Sequence, residues 1–227
     1  PDMKTFYFLE MNARLQVEHT ISECIFGLDL VDAQIEVALG AKLPSEHPPE
    51  PRGAAIEARL NAEEPDMGFA PAGGKIQIFD IPGGPGIRVD SGFRAGDIIA
   101  GAFDSNIAKI IAYGRDRQEA IARLEQALRD TRVVIEGGLT NRAMVLEVLT
   151  DDDFVEHRHS TRWLDGFLER RPASIRRPLL AQSLIAAALL DFNTKRRKER
   201  EDLFAGVHAG PPQSLTEPQP TTYRYLV

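Results

Sequence analysis

The chain has 227 residues, a length that allows one large domain or two small ones. Apolar residues make up 43% of it and charged residues 27%, so it can bury a core without disulfide or metal stabilisation. The formal net charge of −7 argues against a general nucleic-acid or anionic-membrane binder. Cys24 is the single cysteine, and no apolar run reaches the roughly 18 residues of a membrane span. We therefore expect a soluble protein of a reducing cytoplasm.

The first fifty residues are predicted to contain a strand, a polar stretch and a helix. Residues 6–9 are an apolar run typical of a β-strand, and they follow the first residue closely without a starting methionine. Because an isolated strand leaves its backbone groups unpaired, we expect the sequence to be part of a longer polypeptide. Apolar residues recur at helical spacing over residues 30–39, and the proline-rich residues 44–53 predict a boundary.

The middle of the chain has the pattern of an α+β fold. Residues 54–61, 75–81, 87–90 and 106–113 are predicted strands, and in the first of them Glu57 and Arg59 share the polar face. Asp116 and Glu119 form a capping box that predicts a helix. The apolar face of that helix is expected to consist of Ala120, Ile121, Leu124, Ala127 and Leu128. Asn141 is the predicted N-cap of the next helix, and residues 179–204 predict one long helix.

Residues 10–19 contain the densest set of side chains suited to chemistry. On a strand, Glu10 and Asn12 would point to the same side and offer oxygen ligands to a hard cation such as Mg²⁺. Arg14 presents a planar group that suits a small oxyanion. Glu18, four residues further on, could act as a base toward an anion held by Arg14. The alternative from the residues alone is a solvated loop with a salt bridge.

Several separated stretches, in order along the chain, closely resemble biotin carboxylases of the ATP-grasp superfamily. They are residues 8–19, 27–31, 56–63, 82–91, 104–109 and 138–141. The resemblance implies the end of an ATP-grasp domain over residues 1–45 and an α+β C-terminal subdomain, an antiparallel sheet with helices, over residues 53–170. Residues 173–227 are similar to the helix and linker that lead to a following domain in acyl-CoA carboxylases.

The resemblance also implies roles for residues 10–18. Glu10 and Asn12 would help to hold the Mg²⁺ (or Mn²⁺) ions that neutralise the phosphates of ATP. Arg14, with the backbone of Gln16 and Val17, would bind bicarbonate. By the same resemblance, Glu18 would remove the bicarbonate proton, so that a bicarbonate oxygen attacks the γ-phosphate and forms carboxyphosphate.

Two further arginines receive roles from the resemblance. Arg59 would stabilise the enolate that the ureido ring of biotin becomes on deprotonation. Arg88 would lie at the contact of a homodimer, although Pro85 stands where some members carry an aromatic dimer contact.

The expected function is that of a piece of an ATP-dependent ligase that makes carboxybiotin from ATP, bicarbonate and biotin on a carrier domain. Its expected partners are that carrier domain, a carboxyltransferase and a second copy in a homodimer. We expect the piece alone to be inactive with no cofactor bound, because the nucleotide-binding lid of the family precedes it. The alternatives are a non-catalytic docking module or another ATP-grasp ligase, such as a carbamoyl-phosphate synthetase relative. Arg59 and residues 138–141 argue against the carbamoyl-phosphate synthetase relative. The acceptor of the carboxyl group stays open.

Overall fold

The computed structural model describes residues 7–43, 47, 49–171 and 176–205, and side chains are described at neither 176–184 nor 203–205. The chain divides after Arg162 into two compact units. The predicted start at residues 1–6, part of the boundary at 44–53 and the linker beyond residue 205 lie outside the described residues. Among the described helices, none combines the length and apolar character needed to cross a membrane.

The described part of the first unit contains two three-stranded antiparallel sheets and a two-stranded ribbon. The strands are β1 (Ala54–Asn61), β2 (Glu63–Glu64), β3 (Ala70–Pro71), β4 (Gly74–Asp80), β5 (Ile87–Asp90), β6 (Ile98–Ile99), β7 (Asn106–Gly114) and β8 (Arg132–Ile135). One sheet has the order β1-β7-β5, the other has the order β6-β4-β8, and β2 pairs with β3. Strands β1, β4, β5 and β7 confirm the four that were predicted, and the antiparallel α+β architecture is confirmed with them.

Among the described residues, five α-helices belong to the first unit and two to the second. They are α1 (His19–Phe26), α2 (Leu30–Ala38), α3 (Arg117–Asp130), α4 (Arg142–Thr150), α5 (Asp152–Val155), α6 (Trp163–Arg170) and α7 (Arg176–Ala205). The capping box of α3 is confirmed, since the backbone N–H of Glu119 donates to the side chain of Asp116 over 2.8 Å. The long helix predicted near the C-terminus is α7, which begins three residues earlier than expected.

The prediction of a strand at residues 6–9 is wrong for residues 7–9, the part that the structure describes. Residues 7–9 belong to no strand, and their side chains Tyr7, Phe8 and Leu9 are exposed. A strand needs a partner for its backbone groups, and none of the described strands supplies one. The apolar face predicted for α2 is likewise exposed, as Ile35 at 55% and Leu39 at 84% show.

The core of the first unit consists of two clusters that share strands β1 and β7. The first cluster packs α3 and α4 against the sheet and contains Ala58, Ile110, Ala112, Leu124, Ala127, Leu128 and Leu149. The second lies toward the other sheet and contains Leu60, Ala62, Ile76, Ile99, Ile107, Ala108 and Ile135. Because β1 and β7 contribute to both clusters, these two strands are fixed along most of their length.

The predicted apolar face of α3 is buried in full, with Leu124 completely inaccessible. Leu124→Ala is expected to lower the free energy of unfolding by about 2–5 kcal/mol, because it removes buried surface and leaves a cavity. Gln118→Ala on the exposed side of the same helix is the control, with an expected change within about 0.5 kcal/mol. Chemical denaturation measures both, and equal midpoints would show that Leu124 does not anchor the core.

Candidate functional site

The outer face of the β1-β7-β5 sheet carries two rows of mostly charged side chains. In one row Arg59 pairs with Lys109, and Lys109 pairs with Asp90 on the other side. In the next row the buried Ile111 lies between Glu57 and Arg88. Helix α1 and the loop before it cover this face, so the site consists of one helical segment docked on a charged sheet surface.

Arg59 lies between two carboxylates. Its Nη2 donates to Glu18 Oε2 over 2.9 Å, and its Nε is 3.5 Å from Glu57 Oε1. The side chain of Glu57 is almost fully buried, whereas those of Arg59 and Glu18 are about half exposed. The structure therefore brings together two of the predicted catalytic residues, which are 41 positions apart in the chain, and leaves them accessible to a ligand.

Glu57 is held in turn by helix α1. The hydroxyl of Thr20, which is completely buried, donates a hydrogen bond to Glu57 Oε2. A buried carboxylate is costly unless its oxygens find polar partners. Thr20 donates a hydrogen bond to Oε2, and the Arg59 guanidinium forms an ion pair with Oε1. The same contacts therefore satisfy Glu57 and hold the Arg59 guanidinium in place.

Glu23 and Arg88 form the second attachment of α1 to the sheet. Arg88 Nη1 donates to the buried carboxylate of Glu23 over 2.6 Å, and Glu23 also accepts the backbone N–H of Leu30. The remaining side of the guanidinium makes a bidentate contact with Asp90, through Nε at 2.8 Å and Nη2 at 2.9 Å. These hydrogen bonds from Arg88 hold the pKa of Asp90 below its usual value, and they raise the pKa of Arg88.

The loop before α1 is fixed at two carbonyl groups. Lys109 Nζ donates to the carbonyl oxygen of Val17 over 3.0 Å, and the His19 ring contacts the carbonyl oxygen of Gln16 through Nδ1 at 2.7 Å. Arg14 lies at the exposed start of this loop, with its Nη1 3.4 Å from the carbonyl oxygen of Leu15. Its side chain is therefore accessible, four residues before Glu18 in the chain.

The predicted metal ligands Glu10 and Asn12 lie in exposed, irregular chain. The expectation that a strand points both side chains the same way is wrong, because residues 7–13 form no strand in the structure. Carboxylate and amide oxygens still suit Mg²⁺ chemically, and this ion keeps few protein ligands. No cluster of three or more His, Cys, Asp or Glu side chains able to hold a metal occurs within the described part of the chain.

Asn141 does not cap α4 with its side chain as predicted, although the helix begins at the next residue. Its side chain instead accepts the backbone N–H of Asn61 over 2.9 Å and donates to the carbonyl of Arg59 over 3.1 Å. Strand β1 is an edge strand, so these bonds satisfy backbone groups on its free side. Asn141 thereby fixes the backbone that carries Arg59.

Sequence reasoning missed Thr20, Glu23, Asp90 and Lys109, and it noted Glu57 only as a polar-face residue. The strand alternation that places Glu57 beside Arg59 was the available signal for that carboxylate. Thr20, Glu23 and Lys109 act through contacts between elements 37 to 92 residues apart, for which local periodicity contains no information. Asp90 binds Arg88 two residues away on the same strand, so alternation was the available signal for that pair.

The lowered pKa of Asp90 predicts how stability depends on pH. Its folded pKa lies below the usual 3.8, so the Arg88 contact stabilises the fold above that pH, and the contribution is lost as the pH falls through the folded value. We expect the difference in unfolding free energy between the wild type and Asp90→Asn to be largest near pH 6 and to narrow below pH 3.8. Asp165→Asn, at an exposed position, is the control. A difference for Asp90→Asn that is independent of pH would contradict the assignment.

Two family models match the chain. Residues 57–166 match the biotin carboxylase C-terminal domain, and residues 1–46 match the carbamoyl-phosphate synthase L chain ATP binding domain. The chain is 44% identical to biotin carboxylase 1 of Bacillus subtilis over 163 residues, which is 71% of this chain and 36% of that protein. It is 43% identical to the biotin-dependent acyl-coenzyme A carboxylase alpha3 subunit of Mycobacterium leprae over 162 residues, which is 70% of this chain and 27% of that protein.

A solved structure agrees with these matches. The biotin carboxylase domain of 2-oxoglutarate carboxylase from Hydrogenobacter thermophilus, in complex with MgADP, ADP and bicarbonate, is similar to the chain with a TM-score of 0.69 and 37% identity. The similarity covers 73% of this chain and 36% of that one. The chain thus spans about a quarter to a third of the length of the curated relatives that it matches. It belongs to the biotin carboxylase family, with the end of an ATP-grasp domain followed by the C-terminal domain of that family.

Proposed function

We propose that this chain is the C-terminal part of a biotin carboxylase that makes carboxybiotin from ATP, bicarbonate and biotin on a carrier domain. The observation that carries the proposal is the ion pair between Glu18 and Arg59 at the accessible edge of a buried polar network. An exposed carboxylate that pairs with one arginine, with the exposed Arg14 four residues earlier in the same loop, suits a small anion that must lose a proton. The bicarbonate bound by the related carboxylase domain is an anion of this kind.

In the proposed reaction, Arg14 binds the bicarbonate and Glu18 accepts its proton. The deprotonated oxygen of bicarbonate then attacks the γ-phosphate of ATP, and ADP leaves. The backbone of Gln16 and Val17 contributes to the anion site. Val17 is already fixed by the hydrogen bond that its carbonyl accepts from Lys109.

The contact between Glu18 and Arg59 links the two halves of the proposed reaction. While Glu18 is ionised it neutralises the guanidinium at 2.9 Å. Once Glu18 has taken a proton this attraction is lost, and the positive charge of Arg59 becomes available to negative charge that develops on the biotin ring. Glu57 keeps the guanidinium in place during the change, because it contacts Nε rather than Nη2.

Cofactors and partners follow the same proposal. Glu10 and Asn12 would hold part of the Mg²⁺ shell, and when bound the ion neutralises charge on the ATP phosphates. Biotin would be presented by a carrier domain, and the carboxylated biotin would pass to a carboxyltransferase of an acyl-CoA carboxylase. Arg88 would contribute to a homodimer contact, since its side chain remains 40% exposed while it binds Asp90 and Glu23.

The division of roles predicts different defects in the complete polypeptide that contains this sequence. Glu18→Gln removes the base and is expected to lower bicarbonate-dependent ATP cleavage about 100-fold or more. Arg59→Ala is expected to lower carboxyl transfer to biotin by about 100-fold and to lower ATP cleavage less. Assays of phosphate release and biotin carboxylation measure the two steps separately.

Two exposed positions supply matched controls for this experiment. Glu50→Gln and Arg94→Ala make the same substitutions away from the site, and both are expected to leave the two rates unchanged. If Glu18→Gln and Arg59→Ala showed the same selective defect, the division of roles would be refuted.

A further inference from the structure

Lys109 connects the centre of the sheet to the loop that carries Glu18. It lies in the middle strand β7, opposite Arg59 on one side and Asp90 on the other. Its side chain is only 13% exposed, and Nζ donates to the carbonyl oxygen of Val17 over 3.0 Å. A lysine whose ammonium is mostly buried and bonded to a backbone carbonyl 92 positions away is a costly arrangement, which calls for a compensating contact.

The contacts that Lys109 makes within the sheet do not by themselves compensate for the burial of its ammonium group. Asp90 is 3.7 Å from Lys109 Nζ, but both of its oxygens already accept hydrogen bonds from Arg88. The carbonyl of Val17 therefore provides the shortest contact recorded for the ammonium group. Lys109 therefore positions the loop, rather than the loop positioning Lys109. The strand that carries the lysine is fixed in two core clusters, whereas the loop is exposed at Arg14, Gln16 and Glu18.

The bonded carbonyl controls the geometry of Glu18 directly. The carbonyl of Val17 and the amide of Glu18 belong to one planar peptide unit, so fixing the oxygen also fixes the direction of that amide and the position of the Glu18 Cα. The carbonyl of Gln16, one unit earlier, contacts the His19 ring at 2.7 Å. Lys109 and His19 thus fix two consecutive peptide units immediately before the proposed base.

We propose that Lys109 is a positioning residue for the loop of residues 14–18, acting on Glu18 and on the Gln16–Val17 backbone through its bond to the Val17 carbonyl. This inference rests on the proposed function for its catalytic consequence, but its structural half can be measured without any activity. It assigns no contact between Lys109 and the substrate. Its effect on the reaction comes through the loop.

The first measurement is amide hydrogen exchange in the 227-residue chain. The backbone N–H groups of His19 and Ile21 donate to the carbonyls of Gln16 and Glu18, so they report opening of the loop. Lys109→Met keeps an apolar stem but removes the donor, and it is expected to accelerate exchange at both amides about tenfold. Lys109→Arg restores a cationic donor and is expected to recover most of the protection. Lys75→Met, on the exposed side of strand β4, is the matched control.

The second measurement is steady-state kinetics of the complete polypeptide. Lys109→Met is expected to raise the KM for bicarbonate about tenfold or more, because a displacement of about an ångström at a bound anion is costly, while the KM for ATP stays unchanged. Lys109→Arg is expected to return the bicarbonate KM toward the wild-type value. A merely structural lysine would instead change the melting temperature and affect both KM values alike.

The outcomes separate the two proposals. Faster exchange at His19 and Ile21 with a selective rise in bicarbonate KM supports the positioning role. Unchanged exchange in Lys109→Met overturns it, whatever the enzyme does, and so does an equal rise of the KM for bicarbonate and for ATP. If the wild-type polypeptide shows no bicarbonate-dependent ATP cleavage, the proposed function fails, while faster exchange would still show that Lys109 holds the loop.

Discussion

The structure of the candidate site depends on the docking of α1 and its preceding loop onto the charged face of one small sheet. Thr20 and Glu23 attach the helix to Glu57 and Arg88, and the loop is attached through Glu18 and the Val17 carbonyl. Apolar packing alone would permit small sliding of a short helix on a sheet. Directional hydrogen bonds to buried carboxylates fix its position, because each misplaced group would leave a buried charge without its partner.

This arrangement explains why the exposed side chains of the site can be held in defined positions while remaining open to solvent. The fixed components are buried between helix and sheet, Glu57 on the strand and Glu23 on the helix, and the core clusters on the opposite side of β1 and β7 hold the strands. Asn141 binds the free edge of β1 at the level of Arg59. The guanidinium of Arg59 is therefore supported by the strand, by a buried carboxylate and by the backbone contacts of Asn141, and its free side faces the loop that carries Glu18.

Features that depend on the spacing of residues close together in the chain, such as strands and helix caps, could be predicted from the sequence. Local pattern identified β1, β4, β5 and β7 but not β8. Alternation placed Arg59 on a polar face, and the capping box identified α3. The apolar pattern of residues 6–9 could not decide whether a strand forms there, since a strand requires a hydrogen-bonding partner elsewhere in the chain. Asn141 is a residue type that commonly caps helices, but its buried side chain binds the backbone of β1 instead of the first turn of α4. Lys109 could not be connected to residue 17 without the three-dimensional structure, because the two lie on separate elements.

The most direct test follows the oxygen atoms of bicarbonate in the complete polypeptide. If Glu18 deprotonates bicarbonate so that it attacks the γ-phosphate, then inorganic phosphate released from ATP must carry one oxygen from bicarbonate. We expect mass spectrometry to find the label of isotopically substituted bicarbonate in the phosphate from the wild type, and to find almost none with Glu18→Gln or with the 227-residue chain alone. Phosphate released by the wild type without the label would contradict the assignment of Arg14, Glu18 and Arg59 as a bicarbonate-activating site.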